Sequence, residues 1–111
     1  MANTFKNSWK ENVNHSATDD VFTAPSATTS IVIGLTLSNS SANDITATVS
    51  LTDSSDSNND IVFLNAVNIP KNTALEIMRG NKIVLETSDK IKVQASSASS
   101  LNVFTTILEI T

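Results

Sequence analysis

Few residues in this 111-residue sequence have the chemistry to react or to hold a ligand. His15 is the sole imidazole and there is no cysteine, so a Ser-His arrangement would have to use His15, and a Cys-His one cannot form. His15 stands between Asn14 and Ser16 in a polar stretch, where a surface histidine without a role is expected. Carboxylates are better represented, by Glu76, Glu86, Asp89 and Glu109. Glycoside chemistry needs two carboxyl groups held across a cleft. These four instead occupy strand and turn positions in an alternating pattern, where solvated outward faces account for them. The sequence therefore predicts no enzyme, no catalytic residue and no cofactor.

The acidic loop 53–60 is the one candidate for a metal. Asp53, Asp56 and Asp60, with Ser and Asn oxygens between them, are hard oxygen ligands of the kind Ca²⁺ takes. The spacing lacks the alternating acids, the central glycine and the closing glutamate of an EF-hand loop. Read as a soluble connection, the loop carries no metal, and these three aspartates are its only metal candidates. Gly34 and Gly80 make no phosphate-cradling turn, since neither belongs to a glycine-rich strand-to-helix junction.

The elements that would position such groups are strands. Ile31, Ile33, Leu35 and Leu37 alternate with Val32, Gly34 and Thr36, and after a polar turn Ile45, Ala47, Val49 and Leu51 repeat the pattern. Period-two alternation gives each run one buried face. On this reading Ile31, Ile33, Leu35 and Leu37 are core, and Gly34 marks a bulge or a close backbone approach. Further runs at 61–69, 75–77, 83–85, 91–95 and 101–110 follow, separated by turns such as Arg79-Gly80-Asn81 and Thr87-Ser88-Asp89. About eight short strands at this spacing predict an all-β fold, an antiparallel β-sandwich with jelly-roll or immunoglobulin-like topology. Phe22, Phe63 and Phe104 lie in or beside strands and are expected in its core.

Composition agrees. Charged residues make up 16% of the chain, low against a usual ~25%, and Ser, Thr and Asn fill the difference. A net charge of −4 without any Lys/Arg cluster argues against nucleic acid. The sequence shows no signal peptide and no apolar run near the ~20 residues that span a membrane.

Residues 1–20 read as a polar N-terminal arm before a sandwich domain at 21–111. Phe5, Trp9 and Val13 stand four apart, which aligns them on one side of a helix, while the four asparagines around them favour an extended strand. Both conformations stay open. The rings either cap the edge of their own domain or anchor on a neighbouring subunit, as aromatic anchors do. Phe5, Trp9 and Val13 are the expected partner-binding residues.

Across nearly its full length the chain resembles small β-sandwich virion proteins of tailed bacteriophages, of the marine and cyanobacterial phage type. The resemblance rests on Met1-Ala2-Asn3-Thr4-Phe5-Lys6-Asn7, Val21-Phe22-Thr23-Ala24-Pro25 and Thr28 to Leu35 with Leu37-Ser38-Asn39. It continues in Asn65-Ala66, Ile69-Pro70, Leu85-Glu86-Thr87 with Asp89, Ile91, Lys92 and Val93, and the ending Leu108-Glu109-Ile110-Thr111. Such relatives often have glycine where Ser26 and Ser88 stand here. The resemblance implies a non-enzymatic virion protein, made in the host cytoplasm, with the major capsid protein or other virion proteins as partners. Capsid decoration or cement is the leading role, a neck, tail or fibre component the alternative, and a host-facing carbohydrate-binding module the reading from another class. A homo-oligomer is expected, with no nucleic acid and no membrane.

Overall fold

The computed structural model describes residues 3–78, 80 and 82–111. Met1 and Ala2 of the amino-terminal signature, and Arg79 and Asn81 of the expected glycine turn, lie outside the described residues. Gly80 itself has φ +91°, the left-handed backbone that glycine adopts without strain.

Among the described residues nine strands form, and all but the first two follow an alternating or apolar run. They are β1 (Asn3–Lys10), β2 (Asp19–Thr23), β3 (Thr29–Asn39), β4 (Ile45–Asp53), β5 (Asn59–Ile69), β6 (Thr73–Glu76), β7 (Ile83–Leu85), β8 (Lys90–Ala95) and β9 (Leu101–Ile110). A 3-10 turn, Ser54–Asp56, follows β4. One sheet has the order β1-β9-β3-β6, with β7 also on β3, and the other has β2-β8-β4-β5. Every pairing is antiparallel. Because β6 and β7 pair with successive halves of β3, they act as one interrupted strand. Eight strand positions in two four-position sheets, with the chain passing repeatedly from one to the other, is jelly-roll connectivity. That settles the choice the sequence left open.

The core lies between the sheets. Leu35, Leu37, Ile69, Ile91, Leu101 and Ile107 fill it at essentially zero exposure. The expectation for β3 holds only in its second half. Leu35 and Leu37 are buried, but Ile33 is exposed and Ile31 only half-buried, while Ser30 and Val32 take the inward positions. The cause is a register shift between Val32 and Gly34 opposite β9. One extra residue in a strand of period two moves every side chain beyond it to the other face. A second irregularity in β4, around Val49, likewise leaves Leu51 half-buried and turns Ser50 and Thr52 inward.

Glu76 secures the first bulge. Its Oε1 accepts the Leu35 N–H at 3.2 Å and the Met78 N–H at 2.8 Å, and its Oε2 accepts the Thr36 hydroxyl at 2.8 Å. Glu76 is exposed, as the sequence predicted, and its carboxylate also serves as the acceptor for two backbone donors. Glu76→Ala strands those N–H groups, and at about 1–3 kcal/mol for an unsatisfied buried donor the variant should lose about 2–3 kcal/mol of stability, read by urea unfolding.

Two more expected surface acids are built in. Asp89, 8% exposed, accepts the N–H and hydroxyl of Ser54 and the N–H of Glu86, closing the turn before β8. Glu109 lies opposite buried Ser30 and holds Lys6 at 3.5 Å, an ion pair too loose to be a hydrogen bond. Ser88 takes φ +70°, so the turn has the backbone that glycine would favour; in the other turn it is Ala27, φ +53°, and not Ser26 that carries it.

Candidate functional site: an aromatic sheet face

The segment read as an arm is stitched into the sandwich over its described residues. All eight residues of β1 pair with β9, from Asn3 opposite Ile110 to Lys10 opposite Val103. The backbone is extended, since the alternating pairing with β9 outweighs a helical repeat broken by asparagines. Val13 follows a bend in which Asn12 takes φ +51°. It does not join Phe5 and Trp9 on a shared face. It is 1% exposed, its N–H bonds the Leu101 carbonyl at 2.9 Å, and it belongs to the core. Val13 is thus removed from the partner-binding set, because the bend carries it under the sheet edge.

Phe5 and Trp9 stay on the outward face, 70% and 63% exposed. Strand register continues them into two rows across the sheet. Phe5 stands opposite Leu108, which faces Ile31, which faces Val84. Trp9 stands opposite Phe104, which faces Thr36, which faces Glu76. Between the rows, Thr106 donates its hydroxyl proton to Asn7 Oδ1 at 3.2 Å. Trp9 and Phe104 lie nearly parallel, 8° between planes and 6.2 Å between centroids, an offset-stacked geometry.

Phe104 was expected in the core and is not there. It is 45% exposed, because β9 alternates Leu101, Val103, Thr105 and Ile107 inward and sends Phe104 outward. Phe63, also expected as core, is 38% exposed on β5, where Ile61 and Val62 are open too; β5 is an edge strand, and among the described residues no strand pairs with its far side. Phe22 is buried as expected. Reading β9 for its alternation would have found Phe104, since Phe104 occupies the polar register of that strand.

Beside the stacked pair lies a shallow hollow of about 240 Å³ whose walls include Trp9, Lys10, Glu11, Thr36, Asn102 and Phe104. It offers apolar ring faces and several hydrogen-bonding groups. His15 lies elsewhere, exposed, its backbone carbonyl accepting Gln94 Nε2–H at 3.1 Å.

The acidic loop does not converge on a point. Asp53 accepts the N–H and hydroxyl of Ser55 and so caps the 3-10 turn. Asp56 is exposed within that turn. Asp60, the second residue of β5, accepts the Thr52 hydroxyl and pairs with Lys92 at 3.3 Å. The Thr52 hydrogen bond, more than the Lys92 charge, holds the Asp60 carboxyl below its ordinary range. Each carboxylate serves its own turn or strand, and among the described residues no three His, Cys, Asp or Glu gather as metal ligands. Among them, too, no helix is long and apolar enough to cross a membrane.

No protein-family model matches the chain, and no curated protein is similar enough in sequence to count as a relative. Its fold does match solved structures. A subunit of the Bacillus endospore appendages, described as disulfide-linked pili, superposes with a TM-score of 0.58 at 5% identity, over 98% of this chain and 88% of that one. The VP2 protein of the infectious bursal disease virus subviral particle superposes with a TM-score of 0.55 at 10% identity over 96% of this chain. This chain spans about a third of VP2, 32%. At such identities the likeness is one of fold.

Proposed function

We propose that the protein is a non-enzymatic structural component of a virus particle, a decoration or cement protein that binds the major-capsid lattice through the outward face of β1 and β9. The observation that carries this reading is the set of large apolar side chains left open on one sheet face: Phe5, Trp9, Phe104 and Val84. Contiguous exposed apolar surface on a small domain marks an interaction site, and rigid aromatic rings are the usual anchors of such sites. The fold is shared with a viral capsid protein and with a subunit of pili, both of which assemble, and the sequence resemblance to phage virion proteins points the same way. A protein that binds only the assembled shell stabilises it by linkage, and many repeated contacts need each be only modest.

The test is made on purified particles. Copy number should be comparable to the number of capsid subunits, and particles stripped of the protein should lose heat stability. The Phe5→Ser/Trp9→Ser double variant, both rings being largely exposed, should fold normally but fail to rebind stripped particles. A few copies per particle would assign it to the neck, tail or fibre instead. Glycan-array binding by the intact chain, lost in the same variant, would favour a carbohydrate-binding module using the hollow beside Trp9.

A further inference from the structure

We propose that β1 pairs antiparallel with β1 of a second copy, about a two-fold axis through Asn7, so that the two five-stranded sheets continue as one. This rests on the reading above of the aromatic face and names one partner for it. β1 is an edge strand eight residues long without proline. Among the described residues no strand and no loop backbone bonds its outer edge; its tie to the other sheet is the Ser8 hydroxyl donating to the Val21 carbonyl at 3.0 Å. An open edge of this kind is a template for another strand.

The sequence of β1 selects the register. Centred on Asn7, antiparallel pairing sets Phe5 opposite Trp9 of the second copy, and Trp9 opposite its Phe5, on the same outward face. A two-fold interface uses each complementary pair twice. The seam then carries an unbroken row of Phe104, Trp9, then Phe5 and Leu108 of the second copy. Lys6 falls opposite Ser8 and Lys10 opposite Thr4, so no lysine meets a lysine, and Lys6 is already held by Glu109. Centring on Lys6 or Ser8 sets a ring against Asn7, and centring on Phe5 or Trp9 matches only one ring type.

Area decides that the rings need the strand. An aromatic side chain buries about 150–250 Å², so at the exposures of Phe5 and Trp9 two copies offer roughly 500 Å². A specific interface needs about 1,000 Å². The rings supply half, and backbone pairing along β1 with the flanking Phe104 must supply the rest.

Because the chain has no cysteine, Asn7→Cys puts a single thiol on the axis, where opposed Cβ atoms stand about 4.5–5.5 Å apart, close to the about 3.5–4.5 Å of a disulfide. It should form a covalent dimer under mild oxidation. Asn3→Cys places its two thiols eight positions apart, about 27 Å at strand rise, and should not. By sedimentation, Phe5→Ser should raise the dimer dissociation constant roughly 30-fold, while the melting temperature measured below the dissociation constant, where both chains are monomers, stays unchanged. A wild-type chain that remains monomeric into the hundred-micromolar range overturns the proposal. So does an Asn7→Cys chain that cross-links no faster than Asn3→Cys, or a dimer indifferent to Phe5→Ser. The particle role stands or falls separately: a monomer found at high copy on particles sinks this pairing alone, and a dimer absent from particles sinks the capsid role alone.

Discussion

Leu35→Ala should cost about 2–5 kcal/mol, whereas Ile33→Ala, two positions earlier on the same strand, should cost less than about 1 kcal/mol. Simple alternation would make the two equivalent. The bulge between Val32 and Gly34 separates them: Leu35 is wholly buried, and Ile33 is 36% exposed. Removing the Leu35 side chain leaves a void beneath β3 that a close-packed core fills only in part. Against a total stability of about 5–15 kcal/mol, that is a large fraction. Urea unfolding should show a lower midpoint at unchanged slope for Leu35→Ala, and a near-native curve for Ile33→Ala. Equal losses at the two sites would restore the uninterrupted register. A large loss at Ile33 alone would mean that the bulge is misplaced.

Deleting residues 1–14 should lower stability by about 3 kcal/mol or more, roughly 10–20 °C of melting temperature for a domain of this size. A free arm would be lost without consequence. Here the deletion strips β1 from the full length of β9 and withdraws Val13, whose burial alone is worth about 1.5–3 kcal/mol. It also removes the Asn14 carbonyl that accepts the Ala95 N–H at 3.0 Å, and the Val13 N–H bonded to Leu101. β9 would then become an open edge beside the terminal residues, inviting aggregation. Scanning calorimetry of the truncated and full-length chains decides this, and a truncated chain that melts within a few degrees of the full one would show that the amino-terminal segment is dispensable after all. The Phe5→Ser/Trp9→Ser variant is the contrast: it keeps the strand and Val13, so its fold should survive while its binding does not.

The same distinction explains how far the site could be seen beforehand. Phe5 and Trp9 stood out because large rings in a polar stretch have no local partner. Phe104 did not, because it follows Val103 in an apolar run and looks like core unless the alternation of Leu101, Val103, Thr105 and Ile107 is followed through the strand. Val13 was grouped with the rings on spacing alone, and the bend at Asn12 changed its direction. Among the acids, Asp89 looked like surface charge, and the backbone partners of the exposed Glu76 went unseen, because a carboxylate's acceptors and a distant loop's free N–H groups are matched only when the chain has folded.

From the order of residues alone follow the all-β character, the positions of the strands from β2 to β9 to within a residue or two, the alternatives of a bulge or a close approach at Gly34, and the scarcity of catalytic groups. All of these are local: alternation, turn chemistry and composition act between near neighbours, and each strand's preference is written along its own length. What required the tertiary structure is which face of each strand turns inward, the jelly-roll order, and the joining of Trp9 to Phe104. Those depend on pairings between residues as much as a hundred positions apart. With a period of two, one bulge set by such a pairing reverses every assignment beyond it.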